Sequence, residues 1–126
     1  RVAESRYFTI ELFHSGQEIS SLCYLNCMYM VIWRFEVKPG SEQAFEKVYA
    51  ASGDWAQLFQ KAGEAYQGTE LLREVEQPGI YVTIDRWQSH KAYEEFLKQT
   101  VNEYKELDDR CEVLTISETK IGDLEL

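Results

Sequence analysis

Proline and cysteine are scarce in this chain, with two prolines and three cysteines among 126 residues. Three thiols, Cys23, Cys27 and Cys111, are too few and odd in number for the disulfide framework that staples small secreted domains. Cys23 and Cys27 have no histidine close by in sequence, and that spacing does not suit zinc. They are expected to be idle or buried thiols, and no metal site is expected. Basic residues are also in short supply: 13 Lys and Arg stand against 22 Asp and Glu, for a net charge of -9. Such a chain, with no local basic patch, is repelled by phosphate backbones and by anionic membrane surfaces, so neither nucleic acid nor membrane is expected as a partner. The longest apolar stretch, Leu22 to Trp33, is too short to span a bilayer, and no secretory signal is visible. A cytoplasmic location follows as an expectation. A Gly-rich phosphate loop, a nucleophile elbow and a metal-ligand cluster are all missing, which argues against kinase, nuclease and hydrolase chemistry.

What is present suffices for one folded domain. Hydrophobic residues make up 44% and aromatic residues 13% of the chain. A chain of this length can bury a core without a metal or disulfide. Residues 1–27 differ from the rest. Phe8, Ile10 and Leu12 alternate with polar residues, a period-two strand signal, and His14-Ser15-Gly16 interrupts it. This region reads as an N-terminal extension with at most one strand, or as a cloning or start-site artefact. Residues 28–126 read as the domain.

Within that domain the pattern is strand, helix, strand, strand, helix, strand. Tyr29 to Lys38 alternates, with Val31, Trp33, Phe35 and Val37 on one face, and Pro39-Gly40 stops it. Ser41 is placed to cap a helix carrying Phe45, Val48 and Tyr49. Gly53 interrupts that helix, Asp54 is placed to cap a second piece with Trp55, Leu58 and Phe59, and Gly63 ends it. Gly68 to Val75 reads as a strand, Gln77-Pro78-Gly79 as a turn, and Ile80 to Trp87 as the clearest strand. Ser89 caps a long helix whose apolar stripe runs through Tyr93, Phe96, Leu97, Val101, Tyr104 and Leu107. A last strand covers Glu112 to Ser117, and Gly122 closes the domain. The order predicts an α+β, ferredoxin-like βαββαβ fold with a four-stranded antiparallel sheet.

Two helices cover one face of such a sheet. Val31, Trp33, Phe35, Ile80, Val82 and Ile84 are expected to face them. Met30, Ile32, Arg34, Glu36, Tyr81, Thr83, Asp85 and Trp87 are then expected on the other face, which is too apolar to meet water alone. Packing on the same sheet of a twin subunit would give a homodimer. The space between the sheets is expected to be either a small-ligand pocket or a plain interface.

Phe35-Glu36-Val37-Lys38-Pro39-Gly40, Gly68-Thr69, Asp85-Arg86-Trp87-Gln88-Ser89 and Ala92-Tyr93-Glu94-Glu95-Phe96 together resemble the antibiotic biosynthesis monooxygenase family of dimeric α/β-barrel proteins, over about three quarters of the chain from Met28 onward. The resemblance implies a cofactor-free oxygenase acting on a small aromatic or quinol-like molecule. Trp87 and Tyr93 match family positions that line the pocket. Thr83 stands where the polyketide enzymes carry an asparagine, and no arginine occupies the position near Leu107. In the haem-degrading members an asparagine and a histidine occupy positions near Trp33 and near Tyr104 or Glu106 here. Oxygenase chemistry of this kind deprotonates an electron-rich phenol and lets its anion react with oxygen. Trp87, Tyr93 and Asp85 are the catalytic candidates: Trp87 to stack, Tyr93 to donate a hydrogen bond, Asp85 to act as base if burial raises its pKa. Arg34, Thr83 and Tyr81 are the substrate-binding candidates. Trp87 and Tyr93 also suit plain packing, and Arg34 with Asp85 suits a cross-strand ion pair. A non-catalytic ligand-binding or structural homodimer and a haem-binding member are the alternative functions.

Overall fold

A computed structural model of the chain describes residues 29–126. The strand signal around Phe8–Leu12, and Cys23 and Cys27, lie outside the described residues. The described part is a ferredoxin-like α+β fold, with strands β1 (Tyr29–Val37), β2 (Tyr66–Arg73), β3 (Ile80–Trp87) and β4 (Thr115–Glu125). They form one antiparallel sheet in the order β2-β3-β1-β4. Helices α1 (Glu42–Tyr49) and α2 (Asp54–Phe59) follow β1, and α3 (His90–Gln99) and α4 (Val101–Cys111) follow β3. Short 3-10 segments, Gln60–Ala65 and Glu112–Leu114, lead into β2 and β4. Among the described residues no helix is long and apolar enough to cross a membrane.

Local chemistry explains most boundaries. Ser89 caps α3, its hydroxyl accepting from the Ala92 N–H at 3.0 Å, as expected of a serine in extended backbone before a helix. Ser41 makes no such bond; instead the Glu42 carboxylate accepts from the Gly40 N–H at 2.9 Å. Asp54 is not a cap either, because Gly53 occupies that position. Glycine is required there by close approach: a Cβ would sit 2.3 Å from the Val48 carbonyl oxygen. A residue without a Cβ is what fits the turn between α1 and α2. The long second helix is also broken, at Thr100, whose hydroxyl donates to the Phe96 carbonyl at 2.8 Å and leaves helical geometry. A threonine hydroxyl competing for the carbonyl four residues back bends helices in this way. The last strand runs well past the expected end, and Gly122 lies inside it, opposite Ile32.

The core lies between the sheet and the helices and is mostly aromatic. Phe45 and Trp87 are wholly buried. Phe45 stacks on Tyr49 at 4.1 Å and meets Phe35 at 5.2 Å, while Trp87 contacts Phe59, Tyr66, Tyr93 and Phe96.

The register corrects the expected faces of β3. Tyr29, Val31, Trp33 and Phe35 pair with Trp87, Asp85, Thr83 and Tyr81. Paired residues project to the same side of a sheet, so this set faces the helices together. Ile80, Val82 and Ile84 pair with Glu36, Arg34 and Ile32 on the outer face. The apolar branched set of β3 resembled a core face by composition, yet the strand is flanked on both sides and apolar on both faces. Met30, Ile32, Ile80 and Leu124 on the outer face are buried too, while Val82 and Ile84 are half-buried and Leu72 is exposed. The expected Arg34–Asp85 ion pair is therefore excluded, because the two side chains leave opposite faces.

Candidate functional site

A cavity of about 240 Å³ opens between the sheet and the helices, inside one chain. Ligand space was expected on the other face of the sheet, between two subunits. The phase of β3 explains the difference, since it turns Thr83 and Asp85 inward beside Trp33. Six aromatic side chains form the walls: Trp33 and Phe35 from β1, Tyr49 from the end of α1, Trp55 and Phe59 from α2, and Tyr104 from α4. The polar lining is Thr69, Thr83, Asp85, Asp108 and Glu118. Tyr104 and Asp108 lie one helical turn apart, which puts them on the same side of α4. Glu118 pairs with Phe35 and so shares the helix-facing side of the sheet.

Asp85 is the deepest charged group. Thr69 and Val31 are its neighbours on the flanking strands. It is 8% exposed. The Thr69 hydroxyl donates to Asp85 Oδ1 at 2.7 Å, and the Tyr66 hydroxyl lies 2.5 Å from Thr69 Oγ1. Since the Thr69 proton is committed to the carboxylate, Tyr66 is the donor in the second bond. The result is a chain Tyr66 to Thr69 to Asp85. Burial pushes the Asp85 carboxyl up to about 6, against the opposing pull of the Thr69 hydrogen bond. Desolvation disfavours the charged form of a carboxylate, so its proton is held to higher pH.

Two further carboxylates stand at the solvent side: Asp108 is half-buried and Glu118 exposed. Burial raises the Glu118 carboxyl, and the negative charges of Asp108 and Glu112 add to that. The Tyr104 phenol is raised well above its ordinary range by burial, then by Tyr93 and by the Asp108, Asp85 and Glu118 carboxylates. Among the described residues no Lys, Arg or His lines the cavity.

The candidates from the sequence divide accordingly. Asp85 and Thr83 line the cavity. Trp87 does not; it is wholly buried core, and its indole N–H meets no acceptor among the described residues. Tyr93 packs 5.1 Å from Trp87 and 5.6 Å from Tyr29, outside the lining, with its phenol pushed up to about 12 by burial. Tyr81 faces inward, but its hydroxyl donates to Glu46 Oε2 at 2.5 Å. Arg34 is on the outer face, away from the cavity. Trp33, Trp55, Tyr104, Thr69, Asp108 and Glu118 were not singled out as site residues. Thr69 stood within the Gly68-Thr69 match and Tyr104 within the apolar stripe. For Asp108, Glu118 and Trp55 the only signal was their place in the fold.

Among the described residues no group of three His, Cys, Asp or Glu side chains is arranged to hold a metal ion. His90 is exposed, lies 4.8 Å from Tyr29 and is not among the described residues that line the cavity.

A four-stranded antiparallel sheet with helices on one face, enclosing an aromatic cavity with a buried carboxylate, defines a ferredoxin-like α+β protein with an internal cavity. Residues 28–105 match the sequence model of antibiotic biosynthesis monooxygenases, and the chain belongs to that family. Its fold is shared with several solved structures. A mutant form of SnoaB, a cofactor-independent oxygenase from Streptomyces nogalater, superposes with a TM-score of 0.64 at 23% identity, covering 78% of this chain and 91% of that one. A conserved protein from Methanosarcina mazei gives 0.61 at 14% identity, with 82% and 97% covered. The protein PA3566 from Pseudomonas aeruginosa gives 0.57 at 13% identity, with 81% and 96% covered. At these identities the likeness is one of fold. A search among curated proteins returns no match.

Proposed function

We propose that this protein is a cofactor-independent oxygenase of a small, single-ring aromatic or quinol-like substrate, with Asp85 as the base. The observation that carries the reading is the buried Asp85 carboxylate, poised at about 6, in the wall of an aromatic cavity. A general base works best when its pKa lies near the working pH. The cavity volume of about 240 Å³ is below the roughly 300–1,000 Å³ of sites for drug-sized ligands, which suits one ring. Trp33 and Trp55 provide faces for stacking, and Thr83 offers a hydroxyl on the same wall.

In the proposed reaction Asp85 takes the proton of a phenol or quinol hydroxyl. The resulting anion delivers electrons to oxygen. One oxygen atom is added at a ring carbon, and the other leaves as water with two hydrogens, that of the ring carbon and that of the hydroxyl, so that a phenol becomes a quinone. The substrate is the only reductant. Oxygen-electrode assays with a panel of phenols and quinols test this. Uptake above the buffer rate, lost in Asp85→Asn, is expected; buffer-rate uptake with every substrate contradicts it.

The protein is further proposed to pair as a homodimer through the outer sheet face, where Leu72, Val82 and Ile84 present apolar groups to solvent. Light scattering after size-exclusion chromatography is expected to give twice the chain mass, and a monomer at micromolar concentration would contradict the pairing.

A further inference from the structure

The charges around the cavity do not suit an anionic ligand. Among the described residues three carboxylates line it, Asp85, Asp108 and Glu118, and no cation does. The cations nearby are held elsewhere. Lys61 pairs with Glu103 at 3.4 Å, Lys105 with Asp109 at 2.9 Å, Arg110 with Asp54 at 3.8 Å and Lys120 with Asp123 at 3.8 Å. Among the described residues Asp85, Asp108 and Glu118 have no ion-pair partner. Asp85 is buried and lines the cavity, and the one hydrogen bond it receives among the described residues falls on Oδ1. Asp108 and Glu118, at the solvent side and without a cation partner among the described residues, favour a ligand that brings a positive charge to them. The three carboxylates are not grouped so as to share one metal ion. Their placement, one at depth and two toward solvent, fits an elongated organic molecule better. Six aromatic rings surround the space between them, and aromatic faces attract organic cations.

We propose that the cavity takes an aromatic amine in its protonated form, with the ring among Trp33, Trp55 and Tyr104 and the ammonium group toward Asp108 and Glu118. This rests on the reading of the cavity as the substrate site and names its substrate class. It also resolves a difficulty of that reading. A phenolate formed at Asp85 would meet no protein cation, but an ammonium group carried by the same molecule leaves the bound species with no net negative charge.

Three phenols with similar side-chain length separate the charge classes: tyramine is a cation, para-ethylphenol is neutral and para-hydroxyphenylacetate is an anion at neutral pH. Binding to the full chain is measured by quenching of tryptophan fluorescence and by calorimetry at low salt. Tyramine is expected to bind at least about tenfold more tightly than para-hydroxyphenylacetate, with para-ethylphenol between them. The spread is expected to shrink as salt rises. In the double variant Asp108→Asn, Glu118→Gln the tyramine-to-ethylphenol affinity ratio is expected to fall toward one. Both substitutions are near-isosteric and lie on the solvent side, and the salt series on the unmodified protein tests the same point without them. Equal binding of tyramine and para-ethylphenol, or tighter binding of the anion, overturns the cationic class while leaving the oxygenase reading in place. Binding of none of the three overturns the cationic class, and buffer-rate oxygen uptake with every phenol and quinol is the separate result that would remove the oxygenase reading.

Discussion

Thr69 and Asp85 face each other across β2 and β3, and the Thr69 hydroxyl donates to Asp85 Oδ1 at 2.7 Å. This is the one hydrogen bond the buried carboxylate receives among the described residues. It orients the group and partly offsets the effect of burial on its pKa. The Tyr66 hydroxyl extends the chain and holds the threonine in turn.

Asp85 makes stability depend on pH in a definite direction. Its folded-state pKa of about 6 lies above the ordinary 3.8. The native state therefore favours the protonated acid. Its contribution is fully present below about pH 4 and is lost as pH rises through about 6. Asp85→Asn removes the ionisation and keeps an acceptor for Thr69. Denaturant unfolding is expected to show the variant more stable than the parent by about 2–3 kcal/mol near pH 7.5, with little difference near pH 4. A gain of the same size at both pH values would mean that ionisation is not its cause.

Thr69→Val removes the donor and keeps the shape. The carboxylate then loses its stabilising hydrogen bond, so the Asp85 pKa should rise above its present value. The acid limb of any Asp85-dependent rate should move to higher pH, and stability should fall by about 1 kcal/mol as Tyr66 also loses its acceptor. An acid limb that stays in place in this variant would show that the hydrogen bond does not tune the carboxylate.

The two tryptophans of β1 and β3 should behave differently. Trp87 is wholly buried, and Trp87→Ala should cost about 3–5 kcal/mol, as large-to-small changes of buried aromatics do. Trp33 is half-buried and lines the cavity. Trp33→Ala should cost less stability and more ligand affinity. Paired unfolding and binding titrations check this. The reverse ordering would mean that the ligand sits against Trp87 and not in the described cavity.

Ser89→Ala removes the side-chain cap of α3 and should cost about 1 kcal/mol. Ser41→Ala should cost far less, because that hydroxyl makes no cap bond. Equal losses in thermal melts would contradict the capping geometry.

Much of the fold was legible because the strand and helix periods of this chain are strong and its turns are marked by Pro39-Gly40, Gly53 and Pro78-Gly79. The β2–β3 hairpin, the break near Gly53 and the Ser89 cap all follow from local chemistry. The phase of β3 was not legible. Ile80, Val82 and Ile84 are the apolar members of that strand, and a rule of apolar side inward turns Thr83 and Asp85 outward. Pairing with β1 decides otherwise. Polar groups on the inner face cost stability and are placed where a cavity has a use for them. The same limit hid Asp108 and Glu118, which are ordinary acidic residues until α4 and β4 bring them to the cavity. Asp85 and Thr83 were recognised as candidates and do border it. Trp87 and Tyr93 came with the family resemblance and stand behind the wall as packing. The helix break at Thr100 went unseen because the apolar stripe continues across it.

The pH profile of oxygen uptake, measured side by side for the parent and Asp85→Asn with the most active phenol or quinol of the panel, tests the central claim most directly. For the parent, kcat/KM is expected to rise with pH through an apparent pKa of about 6 and to level off above it. For Asp85→Asn it is expected to be lower by about 10²-fold or more, without that rise. A variant that keeps the parent's rate and pH profile would show that Asp85 is not the base.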